Sequence, residues 1–531
     1  MTAETRRGST AAVAAVIAIL AGLAAIFQHP VIDDLPFGVH AWAQGDSLAI
    51  AQRYYEDESW NIFDPHARSL FAVDGRVNRE LPLVPWLAAV AARLGGPGVL
   101  VPAFRGVTLI LSLLGPLALF LITFGRSRSL SAPLLPMVFL ATAPVFVWYS
   151  GNFLPDAPAL GLFLVGVWIL LRSPEGTTER DLVLAMVPLA MAAMMKISFS
   201  VQVAFLAGTF FLGKASGGDG RSWPQRLSDA IKDNRWAAAA AVTSGLVLVA
   251  QFLFLRFREW VYSPTYFTAS PHPFRSLALL KTTVGRIEDR WLAELLPWPH
   301  VIVLVLAVVW IVVRRRQIDR GLLRALGATC AAGLVLFFLF GGQYEDHDYY
   351  FIAAFYPWAS LAAAAFAADA ASVLRARSTA TRTAAVTLLL IGAGLMTWRG
   401  EVAQMRRSSQ WFHDQELWLS DAREILDYSG VAGGEAVAVL GSLRPNQPLT
   451  ILGRNGYVLG TQPGLGLPPA DKISSIRRVL WFMRRQGVRA LVIRRDGFSE
   501  LPQAQLEAGF RSLGSTERVV VLVPIEILKE E

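Results

Sequence analysis

Apolar stretches long enough to leave water recur almost from one end of this chain to the other, and no other feature constrains its fold so tightly. About eleven can be marked: Ala11–Phe27, Val99–Phe124, Ser131–Ser150, Ala157–Leu171, Leu182–Met195, Ile197–Leu212, Trp236–Leu255, Pro297–Val313, Gly321–Phe340, Tyr350–Ala371 and Ala384–Trp398. A helix needs roughly 20 apolar residues to cross a hydrocarbon layer about 30 Å thick. No water inside that layer can satisfy backbone amides, so spanning segments close their hydrogen bonds internally, as helices do. The expectation is an α-helical polytopic membrane protein. Composition agrees: of 531 residues, 54% are hydrophobic and 17% charged, where soluble domains carry roughly 25% charged residues.

The net charge of +8 suggests nucleic acid at first, but the basic residues gather in short loops, where they orient spans. Arg126 and Arg128, the Lys214, Arg221, Arg226, Lys232 and Arg235 group, Arg314 to Arg316 with Arg320, and Arg375, Arg377 and Arg382 can all share one side with Arg6 and Arg7. They do so only if Leu182–Leu212 crosses twice, turning near Lys196. That places the amino terminus in the cytoplasm. Ala11–Phe27 runs into Gln28-His29-Pro30 without a small-residue cleavage site, so it reads as a retained first span of an inner-membrane protein. The outer face receives Gln28–Leu81, Gly151–Asp156, Arg258–Leu296, Gly341–Asp348 and everything after Arg399. The lone Cys330 excludes a disulfide framework and a thiolate metal site, and the seven His residues show no ligand spacing.

Hydropathy falls after Trp398. Asp421–Tyr428 and Asp471–Gln486 pattern as helices, and Ala436–Leu440, Ala490–Ile493 and Arg518–Pro524 as strands. Gly453-Arg-Asn-Gly456 is a turn signal. The expected organisation is a membrane domain over residues 1–398, with residues 28–81 as its first outer loop, and a C-terminal extracytoplasmic α/β domain over residues 399–531.

Chemistry concentrates in the outer loops. Asp46 opens an amphipathic run, Ser47–Tyr55, that reads as a short helix along the membrane surface. Two roles fit it: catalytic acid, or helix N-cap. Arg79-Glu80 stands where the chain re-enters apolar sequence, as a functional pair or as helix anchors. Asp156, set between Pro155 and Pro158, is costly at the lip of a membrane unless hydrated or paired; it serves a site or caps the following helix. Lys196, the one charge in a long apolar stretch, either binds an anionic phosphate or snorkels to the interface. Arg105, early in the second span, suits a phosphate or an acid. In Glu345-Asp346-His347-Asp348-Tyr349-Tyr350, a histidine beside carboxylates suits acid–base work or polar-head contacts, and the tyrosines also suit an aromatic belt. Three acids and a lysine thus converge on the outer leaflet and are expected to share one wet pocket. Chemistry on that face lacks ATP, so an enzyme there needs a pre-activated donor carried by lipid. A carboxylate would deprotonate an acceptor hydroxyl while Lys or Arg stabilises a leaving phosphate.

These motifs resemble a known family. His40-Ala-Trp-Ala-Gln-Gly-Asp46-Ser-Leu-Ala-Ile-Ala-Gln-Arg-Tyr-Tyr, Arg79-Glu80-Leu-Pro-Leu-Val-Pro, Trp148-Tyr-Ser-Gly-Asn-Phe-Leu-Pro-Asp156-Ala and His347-Asp-Tyr-Tyr350 resemble, in order and membrane side, the bacterial membrane glycosyltransferases of the GT-C fold. Within these the likeness is to the group related to protein O-mannosyltransferases, the lipid A aminoarabinose transferase and the rhizobial core galacturonic acid transferases. The resemblance covers roughly Ala11 to Trp398. It implies Asp46 as catalytic base, with Glu80 and Asp156 shaping the acceptor and donor site. It assigns donor phosphate contacts to Lys196, Arg105 and Arg79, and substrate contacts to His40, His347, Asp348, Tyr349 and Tyr350. It implies a polyprenyl-phosphate sugar donor and an envelope glycan, lipid or protein as acceptor. Many relatives carry an Asp-Glu pair in the first loop, whereas Ser47 follows Asp46 here, so a divalent metal stays an open requirement. The rival reading, a polytopic transporter or flippase, predicts ionisable groups near the midplane and inverted repeats; here the charges sit at one edge and no repeat is visible.

Overall fold

The computed structural model describes residues 3–71, 75–127, 129–173, 177–215, 222–262, 271–409, 413–442, 446–459, 476–495 and 509–525. Arg128, Arg221, residues 471–475, and the side chains of Arg6, Arg7 and Lys214 lie outside the described residues. Helices run in chain order as α1 (Ala3–Gln28), α2 (Ala41–Glu56), α3 (Leu83–Gly95), α4 (Leu100–Ser127), α5 (Leu134–Ala141), α6 (Pro144–Ser150) and α7 (Asp156–Leu171). Then come α8 (Glu179–Met195), α9 (Ser198–Ala215), α10 (Trp223–Asp233), α11 (Arg235–Tyr262), α12 (Leu277–Arg286), α13 (Leu292–Leu295) and α14 (Trp298–Arg314). The last are α15 (Arg320–Leu339), α16 (Tyr350–Ala354), α17 (Tyr356–Arg375), α18 (Thr379–Ser409), α19 (His413–Tyr428), α20 (Gln447–Leu452) and α21 (Ile476–Gln486). The strands are β1 (Ala436–Leu440), β2 (Gly456–Val458), β3 (Val488–Arg494), β4 (Phe510–Ser515) and β5 (Val519–Pro524).

Every marked apolar stretch falls on helix, and the protein is a multi-pass membrane protein. Pro97–Ser127, Arg235–Val261, Arg320–Leu339, Tyr356–Arg375 and Thr379–Arg407 are long and apolar enough to cross a bilayer alone; Asp156–Leu171, Ser198–Phe211 and Trp298–Arg314 are among the shorter apolar helices. The stretch Leu182–Leu212 breaks at Lys196, as the charge distribution requires: Lys196 is extended at φ −147°, ψ 110° and ends α8. Two expected spans are broken. Ser131–Ser150 divides into α5 and α6 at Ala143, which is extended because Pro144 follows it. Tyr350–Ala371 divides at Phe355, two residues before Pro357.

The chain forms two compact units. The first comprises Met1–Ile32, Arg105–Leu255 and Ala269–Arg406. In it α7 packs on α8, α9 on α8 and α15, and α17 on α5, α14 and α15. One core joins Val16 and Leu20 of α1, Phe120 of α4, Met137 and Phe139 of α5, and Ala359 and Ala363 of α17. Small residues let these backbones approach: a Cβ on Gly161 of α7 would stand 2.1 Å from the Leu111 carbonyl oxygen of α4.

The second unit comprises Asp33–Phe104, Arg256–Thr268 and Arg407–Glu531. It therefore unites the first outer loop with the C-terminal domain, a grouping that the linear division at residue 398 does not anticipate. A five-stranded sheet runs in the order β2-β1-β3-β5-β4. Strand β1 is parallel to β2 and β3, while β5 is antiparallel to β3 and β4. Side chains alternate across it, as period-2 geometry demands. Val437, Val439 and Val492 face α19 through Leu419, Ala422 and Leu426. Ala438, Leu440 and Leu491 face α21 through Val479, Phe482 and Met483. The first loop completes this sandwich. Leu35 packs on one face, and Leu70 and Phe71 on the other. At the sheet edge Gly456 donates its N–H to the Arg68 carbonyl at 3.0 Å and accepts from Leu70 at 2.8 Å. The predicted turn Gly453–Gly456 links α20 to β2, with Gly453 at φ 66° closing the helix.

Replacing Gly161 by Val forces α7 away from α4. The unfolding midpoint in detergent should drop by an amount equivalent to about 1–3 kcal/mol. Gly245→Ala in α11, where a Cβ meets nothing within 4 Å, should leave the midpoint unchanged or raised.

Candidate functional site

The predicted residues divide between the units. In the first unit, Arg105 of α4 donates to the Gly151 carbonyl at 2.7 Å and lies over the Phe153 ring at 4.6 Å. Asn152 Oδ1 accepts from the Leu154 N–H at 2.9 Å. These contacts fix the turn from residue 151 to 155 that delivers Asp156 as the first residue of α7. Pro155 holds the N-cap position and no side chain caps the helix, so the capping alternative does not apply. Asp156 is 2% exposed, and its Oδ1 lies 3.2 Å from Lys196 Nζ. Lys196 turns inward rather than snorkelling, with Nζ 4.8 Å and 5.4 Å from the ring centroids of Tyr349 and Tyr350.

The late outer loop completes this cluster. Asp348 is fully buried and accepts from the Tyr149 hydroxyl at 2.6 Å. Tyr149 packs edge-on against Tyr349 at 6.0 Å, and His347 does so against Tyr349 at 5.4 Å. Thus Asp156, Lys196, His347, Asp348, Tyr349 and Tyr350, far apart in sequence, form one contiguous polar and aromatic group. Tyr149 was missed: it lies inside the quoted motif, yet a tyrosine at a helix end carries no local mark of function.

In the second unit, Asp46 sits in the second turn of α2, whose N-cap is His40 in the left-handed region at φ 58°. Asp46 is therefore no N-cap. Nor is α2 a surface helix, because Ala41, Ala43–Ala51 and Tyr54 are buried, between α3 on one side and α20 on another. Asp46 Oδ1 accepts from Asn446 Nδ2 at 3.0 Å, and Asn446 Oδ1 accepts from the Ser69 N–H at 2.9 Å. The Thr450 hydroxyl donates to the Gly45 carbonyl at 3.1 Å, and a Cβ on Gly45 would stand 2.9 Å from Gln447 Cα. Arg79 Nη2 donates to Ser47 Oγ at 2.9 Å, beside Asp46, while Glu80 is half-buried. Arg68, 2% exposed, pairs with Glu56 and bonds Gln52 and Asn455; burial pulls its guanidinium below the ordinary value and Glu56 pulls back.

Among the described residues no three His, Cys, Asp or Glu side chains assemble a metal site.

No family model and no curated protein matches the chain. Its fold is similar to that of ArnT from Cupriavidus metallidurans bound to undecaprenyl phosphate, with a TM-score of 0.63 at 12% identity over 96% of this chain and 97% of that one. It is also similar to the oligosaccharyltransferase AglB from Archaeoglobus fulgidus in complex with an inhibitory peptide and a dolichol-phosphate, with a TM-score of 0.51 at 13% identity over 91% and 69%. The arabinofuranosyltransferase AftD from Mycobacteria matches with a TM-score of 0.51 at 14% identity over 98% of this chain and 40% of that one. The fold is that of the GT-C membrane glycosyltransferases.

Two outcomes test the geometry. Lys196→Met leaves Asp156 buried without its ammonium and should cost roughly 3–5 kcal/mol, most of which Asp156→Asn restores in the double variant; thermal unfolding of all four proteins in detergent measures the coupling. Burial raises the Asp64 carboxyl, but the hydrogen bond and charge of His66, with Arg258 and Arg76, outweigh it and hold Asp64 below its ordinary 3.8. A depressed carboxyl stabilises the fold above its unfolded value and loses that contribution as pH falls through its folded one. Wild type should therefore unfold at higher temperature than Asp64→Asn near neutral pH, and the gap should close below about pH 4.

Proposed function

We propose that the protein is a glycosyltransferase that moves a sugar from a polyprenyl-phosphate donor to a cell-envelope acceptor at the outer face of the cytoplasmic membrane. The observation that carries this reading is the likeness to ArnT bound to undecaprenyl phosphate, which extends over 96% of this chain and 97% of that one. The structure in complex with a dolichol-phosphate supports the same donor class. The three similar proteins named above act as transferases, and none of them favours a transporter. The amino terminus lies in the cytoplasm and the C-terminal domain outside it, in keeping with the distribution of loop arginines.

Asp46 takes the proton of an acceptor hydroxyl as its oxygen attacks the anomeric carbon. The bond from that carbon to the phosphate oxygen breaks, and the polyprenyl phosphate leaves with the electron pair. One displacement of this kind inverts the anomeric centre. Lys196, Arg105 and Arg79 supply positive charge toward the donor phosphate. Glu80 and Asp156 shape the acceptor and donor subsites, and His40, His347, Asp348, Tyr349 and Tyr350 contact substrate. A general base contributes about 10²- to 10⁴-fold, which sets the loss expected on its removal.

Comparing lipids and envelope glycans of cells with and without the protein tests the reading. A polyprenyl-phosphate sugar should accumulate in its absence, and one glycan should lose that sugar. Wild type should reverse both changes. Asp46→Asn and the stability-matched pair Asp156→Asn/Lys196→Met should accumulate normally and reverse neither. Unchanged lipids and glycans would refute the transferase assignment, and full activity of Asp46→Asn would strip Asp46 of its role.

A further inference from the structure

The side chain that holds Asp46 comes from the C-terminal domain, 400 residues away along the chain. Asn446 is 1% exposed, and both ends of its amide are engaged. The Ser69 backbone N–H can only donate, so the group facing it at 2.9 Å must be the amide oxygen. That leaves the Asn446 NH₂ toward Asp46, at 3.0 Å from Oδ1. An NH₂ can only donate, so Oδ1 is held as an acceptor. The orientation of this amide is thus dictated by a backbone group and not by Asp46 itself.

Resting on the assignment of Asp46 as base, we infer that Asn446 is a positioning residue for the transfer reaction: it holds Oδ1 as an acceptor and so fixes the orientation of the carboxylate. The C-terminal domain then acts as part of the catalytic apparatus rather than as an appendage. Helix α20 reinforces this by gripping the backbone of α2, through the Thr450 hydroxyl on the Gly45 carbonyl and the Gln52 amide on the Thr450 carbonyl at 3.3 Å. The charged groups on the elements packed around α2 include Arg93 of α3, which bonds the Tyr54 and Ser59 carbonyls, Arg68, which pairs with Glu56, and Arg79, which bonds Ser47 beside Asp46. Helix α20 itself carries no charge.

The test uses the full chain in membranes. A lipid extract of cells lacking the protein serves as donor, and membranes of those cells serve as acceptor. Asn446→Ala should lower the rate at saturating extract about ten- to hundredfold, the worth of one hydrogen bond to a carboxylate, with little change in the extract needed for half-saturation. The acid limb of its pH–rate profile should move to higher pH, because the ionised base has lost a donor. Asn446→Asp, which keeps the shape and sets two carboxylates together, should move that limb further. Thr450→Val should lower the unfolding midpoint and leave the limb in place. An acid limb at the wild-type pH in both Asn446 variants would overturn the inference, with Asp46→Asn still inactive; an active Asp46→Asn would instead overturn the assignment it rests on. If Asn446→Ala fails to accumulate, the isosteric Asn446→Asp decides alone.

Discussion

A carboxylate taken out of water must be answered by the chain itself, and that requirement organises both units. Burying an ionised group without compensation costs more than a whole domain's net stability. Three of the acids enclosed among the described residues, Asp156, Asp348 and Asp46, are each answered differently. Asp156 has an ammonium, Asp348 a phenolic hydroxyl and Asp46 a neutral amide. In every case the partner lies tens to hundreds of residues away, so local folding alone cannot form the contact. Helix α7 must meet the break between α8 and α9 before Asp156 is tolerable, and α2 must meet the segment before α20 before Asp46 is.

This explains why residues 33–104 belong with the C-terminal domain. Helix α2 is buried over most of its circumference, which an isolated loop cannot achieve. Helix α3 covers part of it, α20 another part, and residues 68–70 extend the sheet edge beside β2. Gly45 lets α2 lie against Gln447 without a Cβ in the way. Gly456, at φ 156°, lets the edge of β2 lie where any side chain would strike the Val437 carbonyl. Two glycines therefore permit two close approaches, and the second unit follows from them.

The helical architecture was legible because apolar length is a one-dimensional signal, and the break at Lys196 because the basic loops share one side only if Leu182–Leu212 turns there. Strand β1 was legible to its ends, since alternation is local. What sequence could not show was partnership. Leu48, Ile50 and Tyr54 look like one apolar face over water, but Ala43, Gly45, Ala49 and Ala51 are small because a second surface packs there. Helix α3 was passed over because 13 residues are too few for a span. Asn446 lies in Arg-Pro-Asn-Gln-Pro, which reads only as a turn; its meaning appears with Ser69 and Asp46 beside it.

The two kinds of answer to buried charge also separate the roles of the carboxylates. A proton delivered to Asp156 would strand the Lys196 ammonium among tyrosine rings, so under the proposed function that pair is the one suited to placing an anionic donor. Asp46 faces a neutral NH₂ at its hydrogen bond from Asn446, and that contact carries no cation to strand. A base must accept a proton and give it back within each turnover, whereas an electrostatic anchor must not change its charge at all. The chain supplies one environment of each type, and the amide that orients Asp46, the base under the proposed function, is contributed by the last quarter of the sequence.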